Sequence, residues 1–404
     1  MDRADILHLL TEANGESVRA AAERELLRAK GTRVFVRGLI EFSNVCRRNC
    51  RYCGLRAQNR ALARYTLTQE EVLGAARSAV ALGADSIVLQ SGEGAADASW
   101  LAEVVREIVT AFRVPVALCV GERPERDYAL WRDAGATRYL LKHETADEAL
   151  YARLHPGHTL AERVASLRVL KELGYATGTG FMTGLPGQRP ESLADDILLA
   201  RELGVAMCGA GPFIPQAQTP LAEAPGGTAA QNLRVLSVLR LALPEADLPA
   251  TTALASLSPG GQARGLRAGA NVLMPSFTPE ARRADYRIYD HKAPVSMTDA
   301  AAAIAEAGRT CGIRDAGGGR ERAGVTPRAV ALSCRLPHTP PGQVCLCALR
   351  LSVAISAHLF PAGRGPAPGT QARTQGGQHA ACRTQGDVRG RLCGPLCHRR
   401  VQRQ

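Results

Sequence analysis

Residues 34 to 56 read VFVRGLIEFSNVCRRNCRYCGLR. An apolar, β-rich run over residues 34–41 delivers the chain into a loop that carries Cys46, Cys50 and Cys53 in a CxxxCxxC spacing. A strand that ends in such a loop and is followed by a helical pattern is a βα unit, and the rest of the chain repeats the unit. Further β-rich runs occupy residues 86–90, 116–120, 138–141, 177–182, 206–209, 248–252 and 271–274, with helical segments between them. Five of these runs follow a similar joint, LGADS, AGATR, LGYAT, LGVAM and AGANV. In those joints Gly83, Gly135, Gly174, Gly204 and Gly269 stand where a helix C-terminus needs a left-handed residue. The pattern predicts an α/β fold, a (β/α)8 TIM-type barrel over residues 33–323, with a helical extension over residues 1–32.

Length and composition agree with that size of barrel. The chain has 404 residues, 46% hydrophobic and 22% charged, which is ordinary globular usage. It has no apolar run of about 18 residues, so no bilayer span and no membrane partner are expected. The N-terminal stretch carries Asp2, Asp5, Glu12, Glu16, Glu23 and Glu25, unlike a secretory or transit leader, which makes the cytoplasm the expected compartment. The net charge of +12 is concentrated in residues 324–404, where eleven Arg face only Asp387. Residues 1–323 hold 39 basic and 37 acidic side chains, so no nucleic-acid partner is expected. The segment 324–404 is rich in Arg, Pro, Gly and Cys, and is read as a low-complexity, disordered or out-of-frame tail. A zinc module built on Cys345, Cys347, Cys393, Cys397 and His398 is the sharper alternative, but the spacing fits no common finger.

In a barrel of this kind the chemistry belongs at the C-terminal ends of the strands. There the sequence supplies Gln90, Ser91 and Glu93, then Glu122, His143 with Glu144, and Thr251 with Thr252. The strongest signal is the cysteine loop. Three thiolates at this spacing can hold one cubane of four irons and leave one iron without a protein ligand. The competing readings are a three-cysteine zinc site completed by His or Asp, and reduced core thiols. Tyr52, one residue before the third cysteine, suits an aromatic ring beside a nucleotide at the open iron.

With these residues in view, the chain resembles the radical S-adenosylmethionine (radical SAM) enzymes of the biotin synthase-like group, and within them the HydE family of FeFe-hydrogenase maturases. The phrases that carry the resemblance are RYTLTQEEVL, SIVLQSGE, RYLLKHETAD, LKELGYATGTGFMTGLPGQ, GPFIPQAQTPLA, LPATTAL and GANVLMPSFTP, spread over residues 33–320. The resemblance implies that Cys46, Cys50 and Cys53 hold a 4Fe-4S cluster, with the amino and carboxylate groups of S-adenosylmethionine on its open iron. It implies that Tyr52, Cys119, Glu144 and Arg163 contact that cofactor. It also implies that Gln90, Arg138, Met207, Thr251, Thr252, Met274 and Tyr289 line the substrate cavity. The implied reaction is reductive cleavage to a 5′-deoxyadenosyl radical, acting on a small organometallic or cysteine-derived substrate during assembly of the H-cluster di-iron site. Other hydrogenase maturation proteins and an electron donor are the implied partners.

Some positions depart from the pattern. Cys119 stands where the resemblance puts a small hydroxyl residue, and Lys142 where it puts arginine, which keeps the charge but loses the bidentate fork. Between the last barrel strand and the C-terminal helix only Cys311 is present, so the second cluster of many HydE chains is not expected. A biotin synthase-like reading would need several strand cysteines inside the barrel, where Cys119 and Cys208 stand alone. A methylornithine synthase-like enzyme is a closer alternative because it needs no second cluster. A non-catalytic iron-sulfur carrier would have no use for Glu144 and Arg163 beside the triad.

Overall fold

The computed structural model describes residues 1–94 and 96–311; the Arg/Pro/Gly/Cys-rich segment with its six cysteines lies outside the described residues. Two helices come first, α1 (Arg3–Thr11) and α2 (Gly15–Lys30). Asp2 and Asp5 form a capping box at α1, and the Asn14 side chain accepts from Ser17 N at α2, satisfying donors that a helix start leaves open. The alternating part follows as β1 (Arg33–Ser43), α3 (Gln69–Ala81), β2 (Ser86–Ser91), α4 (Ala98–Phe112), β3 (Val116–Cys119) and α5 (Glu125–Asp133). It continues with β4 (Ala136–Leu140), α6 (Glu148–Leu154), α7 (Leu160–Glu172), β5 (Ala176–Thr183), α8 (Pro190–Glu202), β6 (Met207–Pro212) and α9 (Ala229–Ala242). The last part contains α10 (Thr252–Leu257), α11 (Gly261–Arg267), β7 (Val272–Leu273), α12 (Glu280–Arg283), α13 (Met297–Glu306) and β8 (Thr310–Cys311).

All strand pairs are parallel, in the order β6-β5-β4-β3-β2-β1-β7, with β8 on the start of β1. Along β1 the side chains alternate as a pleated strand requires. Val36, Ile40 and Phe42 face the large core under the helices, whereas Leu39 joins Val88 and Ala117 in a small cluster inside the barrel. The five glycines of the recurrent joints all adopt positive φ, between 59° and 114°. The (β/α)8 TIM-type reading therefore holds.

One expected strand differs. Residues 248–252 form only isolated bridges, Met207 to Asp247 and Pro249 to Val272, which close the gap between β6 and β7. Pro249 has no N–H to give to a ladder, and Thr251 leaves the strand to cap α10. A few backbone hydrogen bonds cross the seam, among them Cys208 N to Asp247 O and Ala250 N to Val272 O, and side chains reinforce them. Asn271 Oδ1 accepts from Leu248 N at 2.8 Å and from Arg240 Nη2 at 3.0 Å, while its Nδ2 donates to Asp247 Oδ1 at 2.9 Å. The run at 271–274 shortens to β7, and β8 was not foreseen. Cys311 lies in β8, at the opposite end of β1 from the cysteine loop.

Candidate active site at the mouth of the barrel

The first strand delivers Cys46, Cys50 and Cys53 beyond its C-terminal end, and none of them is in a disulfide. Their loop is clamped between two neighbours. Arg47 N donates to Glu93 O on one side, and Gly54 N donates to Ile288 O on the other. The approach is so close that a Cβ at Gly92 would lie 2.1 Å from Val45 O, and one at Gly54 would lie 2.0 Å from Arg287 O. Only glycine fits at either contact.

Burial pushes all three thiols up, Cys50 to about 12, and charge on Cys46 further disfavours ionisation of Cys50 and Cys53. A metal reverses that preference, because a coordinating thiol is deprotonated outright. Among the described residues no group of three or more Cys, His, Asp or Glu converges tightly enough for a single ion. Three free sulfur donors on one loop fit a multi-iron cluster with one iron left open.

Opposite Cys50 stand Glu144 and Arg163. Glu144 follows β4 in a left-handed conformation, φ 65°, which a non-glycine residue adopts only when its surroundings impose it. Here the imposition is visible. Glu144 N donates to Gly180 O, Met182 N donates to Glu144 O, and the residues on either side are buried. The preceding His143 is fully buried, with Nδ1 2.9 Å from Thr179 Oγ1 and Nε2 3.4 Å from Asp196 Oδ1. Asp196 also accepts from Ala146 N, so one buried carboxylate holds both ends of the turn. The Glu144 carboxylate makes no hydrogen bond or ion pair with the described residues, and its charge bears on Cys50, Tyr52 and Cys119.

Arg163, buried on α7, belongs to a quartet with the half-buried Arg48, Glu93 and Glu122. Arg48 bonds Glu93 and lies 2.5 Å from Glu122, while Arg163 Nε is 2.5 Å from Glu122 Oε1 and Nη2 is 3.5 Å from Glu93. Two charges of each sign alternate, the arrangement that makes such burial tolerable. Burial lowers the Arg163 pKa, but Tyr151, Glu93, Glu122 and Glu144 outweigh it and hold the guanidinium charged.

Tyr52 packs among Leu150, Leu154, Leu185 and Phe213. Its hydroxyl is 2.9 Å from His155 Nε2. His155 Nδ1 is 3.0 Å from Tyr151 O, which can only accept, so Nδ1 carries the proton and Nε2 accepts from Tyr52. Burial and then Arg163 push the His155 pKa down to about 3, consistent with a neutral ring. A small, partly enclosed cleft lined by Arg48, Asn49, Cys50, His155, Pro156, His158 and Arg163 adjoins the cysteine loop.

The remaining candidates divide between the cavity and its rim. Arg138, Met207 and Met274 line one small cavity of about 30 Å³, partly open to solvent, together with Arg37 and Asp247. Cys119 ends β3 beside Gln90, packs against the cluster of Leu39, Val88 and Ala117, and is pushed up to about 11 by burial despite Lys142. Gln90 Nε2 donates to Tyr286 Oη at 3.1 Å. Thr251 caps α10, Thr252 begins it, and Tyr289 reaches Ser256 on the same helix. These four lie outside the set that lines the cavity.

A signature of the radical SAM superfamily matches residues 40–200, the stretch from the end of β1 to α8. The chain is 46% identical over 274 residues to the [FeFe] hydrogenase maturase subunit HydE of Thermotoga maritima, covering 67% of this chain and 78% of that one. The chain belongs to the HydE family of radical SAM enzymes. Other members of the superfamily stand further off. The 3-methylornithine synthase of Methanosarcina barkeri is 28% identical over 72% of this chain and 82% of its own. The crystal structure of methylornithine synthase superposes with a TM-score of 0.70 at 26% identity, over 78% of this chain and 95% of that chain.

For a HydE-family chain, several residues in and around the barrel escape a reading by motif. Arg37 stands at an inward position of an otherwise apolar strand, a charge out of pattern that could have been noticed. Glu93 and Glu122 were legible only as polar loop residues. His155 and Asp196 gave no signal, because their partners lie on other elements.

Proposed function

We propose that this chain cleaves S-adenosylmethionine reductively and acts in assembly of the FeFe-hydrogenase di-iron site, with Cys46, Cys50 and Cys53 as the ligands of a 4Fe-4S cluster. The observation that carries the reading is the mouth of the barrel, where three free thiols share one loop across from the open Glu144 carboxylate and the charge-locked Arg163. When bound, the cluster supplies one electron to the sulfonium of S-adenosylmethionine, whose C5′–S bond breaks into methionine and a 5′-deoxyadenosyl radical. The protein's share is orientation and exclusion of water. Glu144 would accept the ammonium or ribose hydroxyls, and Arg163 would pair with the carboxylate. Tyr52, turned by His155, would flank the adenine, with Cys119 near the same cofactor. Arg138, Met207 and Met274 would contact a small organometallic or cysteine-derived substrate, and Gln90, Thr251, Thr252 and Tyr289 would border it above. Other maturation proteins and a one-electron donor complete the reaction sequence, in a cytoplasm that keeps the thiols reduced.

Anaerobic reconstitution with iron and sulfide tests the reading. A reduced 4Fe-4S EPR signal that changes on adding S-adenosylmethionine, with 5′-deoxyadenosine formed, is expected. Cys46→Ala should abolish both; full nucleoside formation by that variant would overturn the cluster assignment.

A further inference from the structure

The loop that carries the three cysteines has a charge of its own. From Arg47 to Arg64 it holds six arginines and no acidic residue, in a body of 39 basic and 37 acidic side chains over residues 1–323. Two of the six are absorbed internally. Arg48 belongs to the ion-pair quartet, and Arg64 donates to the carbonyls of Asn44, Leu55, Arg56 and Asn59. Arg56 donates to Gln58. Arg47, Arg51 and Arg60 are exposed and make no side-chain hydrogen bond or ion pair with the described residues. Neighbouring elements extend the patch. Arg51 N donates to Leu154 O beside exposed Arg153, and Gly54 N donates to Ile288 O beside exposed Arg287. The cleft that reaches Cys50 opens on the same loop.

We infer that this arginine face is the docking surface for an acidic one-electron donor protein, an inference that rests on the cluster reading above. Electron transfer between proteins falls steeply with distance, so the donor must sit over the loop that holds the cysteines. Transient redox complexes use small interfaces in which complementary charge steers the encounter. The exposed guanidinium groups of Arg47, Arg51 and Arg60, on the loop that carries the cysteines, supply that field without burying a counter-charge. In the transfer an anionic flavin hydroquinone gives up one electron and becomes the neutral semiquinone; no proton or atom crosses.

The probe is an acidic flavodoxin, reduced to the hydroquinone, with full-length reconstituted protein. Calorimetric binding is compared between wild type and the triple variant R47E/R51E/R60E, at low and high salt. The Kd at low salt should rise about tenfold or more and its salt dependence should flatten. The KM for flavodoxin should rise in parallel, while 5′-deoxyadenosine formation driven by titanium(III) citrate stays at the wild-type rate. A Kd and salt dependence unchanged from wild type would overturn the inference. So would weakened binding of a single-stranded oligonucleotide with the flavodoxin Kd unmoved. R47Q/R51Q/R60Q, which removes charge without adding any, should shift binding in the same direction and guards against misfolding of the reversal variant. Failure of the cluster reading shows separately, as no nucleoside from wild type with titanium(III) citrate.

Discussion

Tyr52 and His155 meet across 103 positions of sequence, phenol oxygen to imidazole Nε2 at 2.9 Å, with the rings edge to face at 80°. The contact joins the cysteine loop to the end of α6, and the proton on His155 Nδ1 fixes its direction. Replacing His155 by Phe keeps the ring but leaves the Tyr52 hydroxyl buried without an acceptor. The expected loss is about 1–3 kcal/mol of stability. Iron content should be retained while the Kd for S-adenosylmethionine rises, measured by equilibrium dialysis of the anaerobic protein.

The same histidine sets a pH dependence. Its pKa falls from 6.5 to about 3 on folding, chiefly through burial. Between those values the unfolded chain binds the extra proton, so the His155 contribution is complete above about 6.5 and is lost as the pH falls toward 3. Denaturant titrations across that window should show a steeper decline for wild type than for His155→Phe. Parallel curves would mean that the imidazole is not held neutral in the fold.

Arg163 is the member of the quartet with carboxylates on one side and the open mouth on the other. Arg163→Met leaves Glu93 and Glu122 sharing Arg48 alone in a half-buried setting. A loss of about 3–5 kcal/mol is expected, read as a lowered Tm. Arg163→Lys retains the charge without the fork, so it should recover much of the Tm but little of the affinity for S-adenosylmethionine. Full recovery of both would argue that charge alone matters there.

Asn271 carries the seam between β6 and β7. Asn271→Ala strands Leu248 N, removes an acceptor from the fully buried Arg240, and frees Asp247 on one side. Each buried unsatisfied group costs about 1–3 kcal/mol. Hydrogen exchange at Leu248 and Ala250 should rise more than at residues of β3 or β4. Uniform exchange would show that the single bridges hold without the side chain.

Local rules were enough to read the frame, and pairing at a distance was not. The strand at β1, the glycine joints and the cysteine spacing are each written within a few residues, so periodicity and turn chemistry expose them. The segment at 248–252 looked like another strand because its apolar run is right; Pro249 and the capping of α10 by Thr251 break it. Glu144 and Arg163 could be found through family likeness, but the left-handed turn of the first and the quartet around the second depend on Asp196, Glu93 and Glu122, on separate elements. His155 showed no periodic or motif signal at all, since its meaning comes from a tautomer that only the three-dimensional contacts determine.

Asp247 lines the inner cavity, and it is held from two directions. Arg37 reaches it at 2.5 Å from within the barrel, and Lys30 reaches it at 3.6 Å from the last turn of α2. The helical preface therefore adds to the floor of the barrel a charge brought from outside the βα repeat. A protein beginning at β1 would still have its staves and its cysteines, but Asp247 would lose its outer partner and the bottom of the tube would stand wider to water.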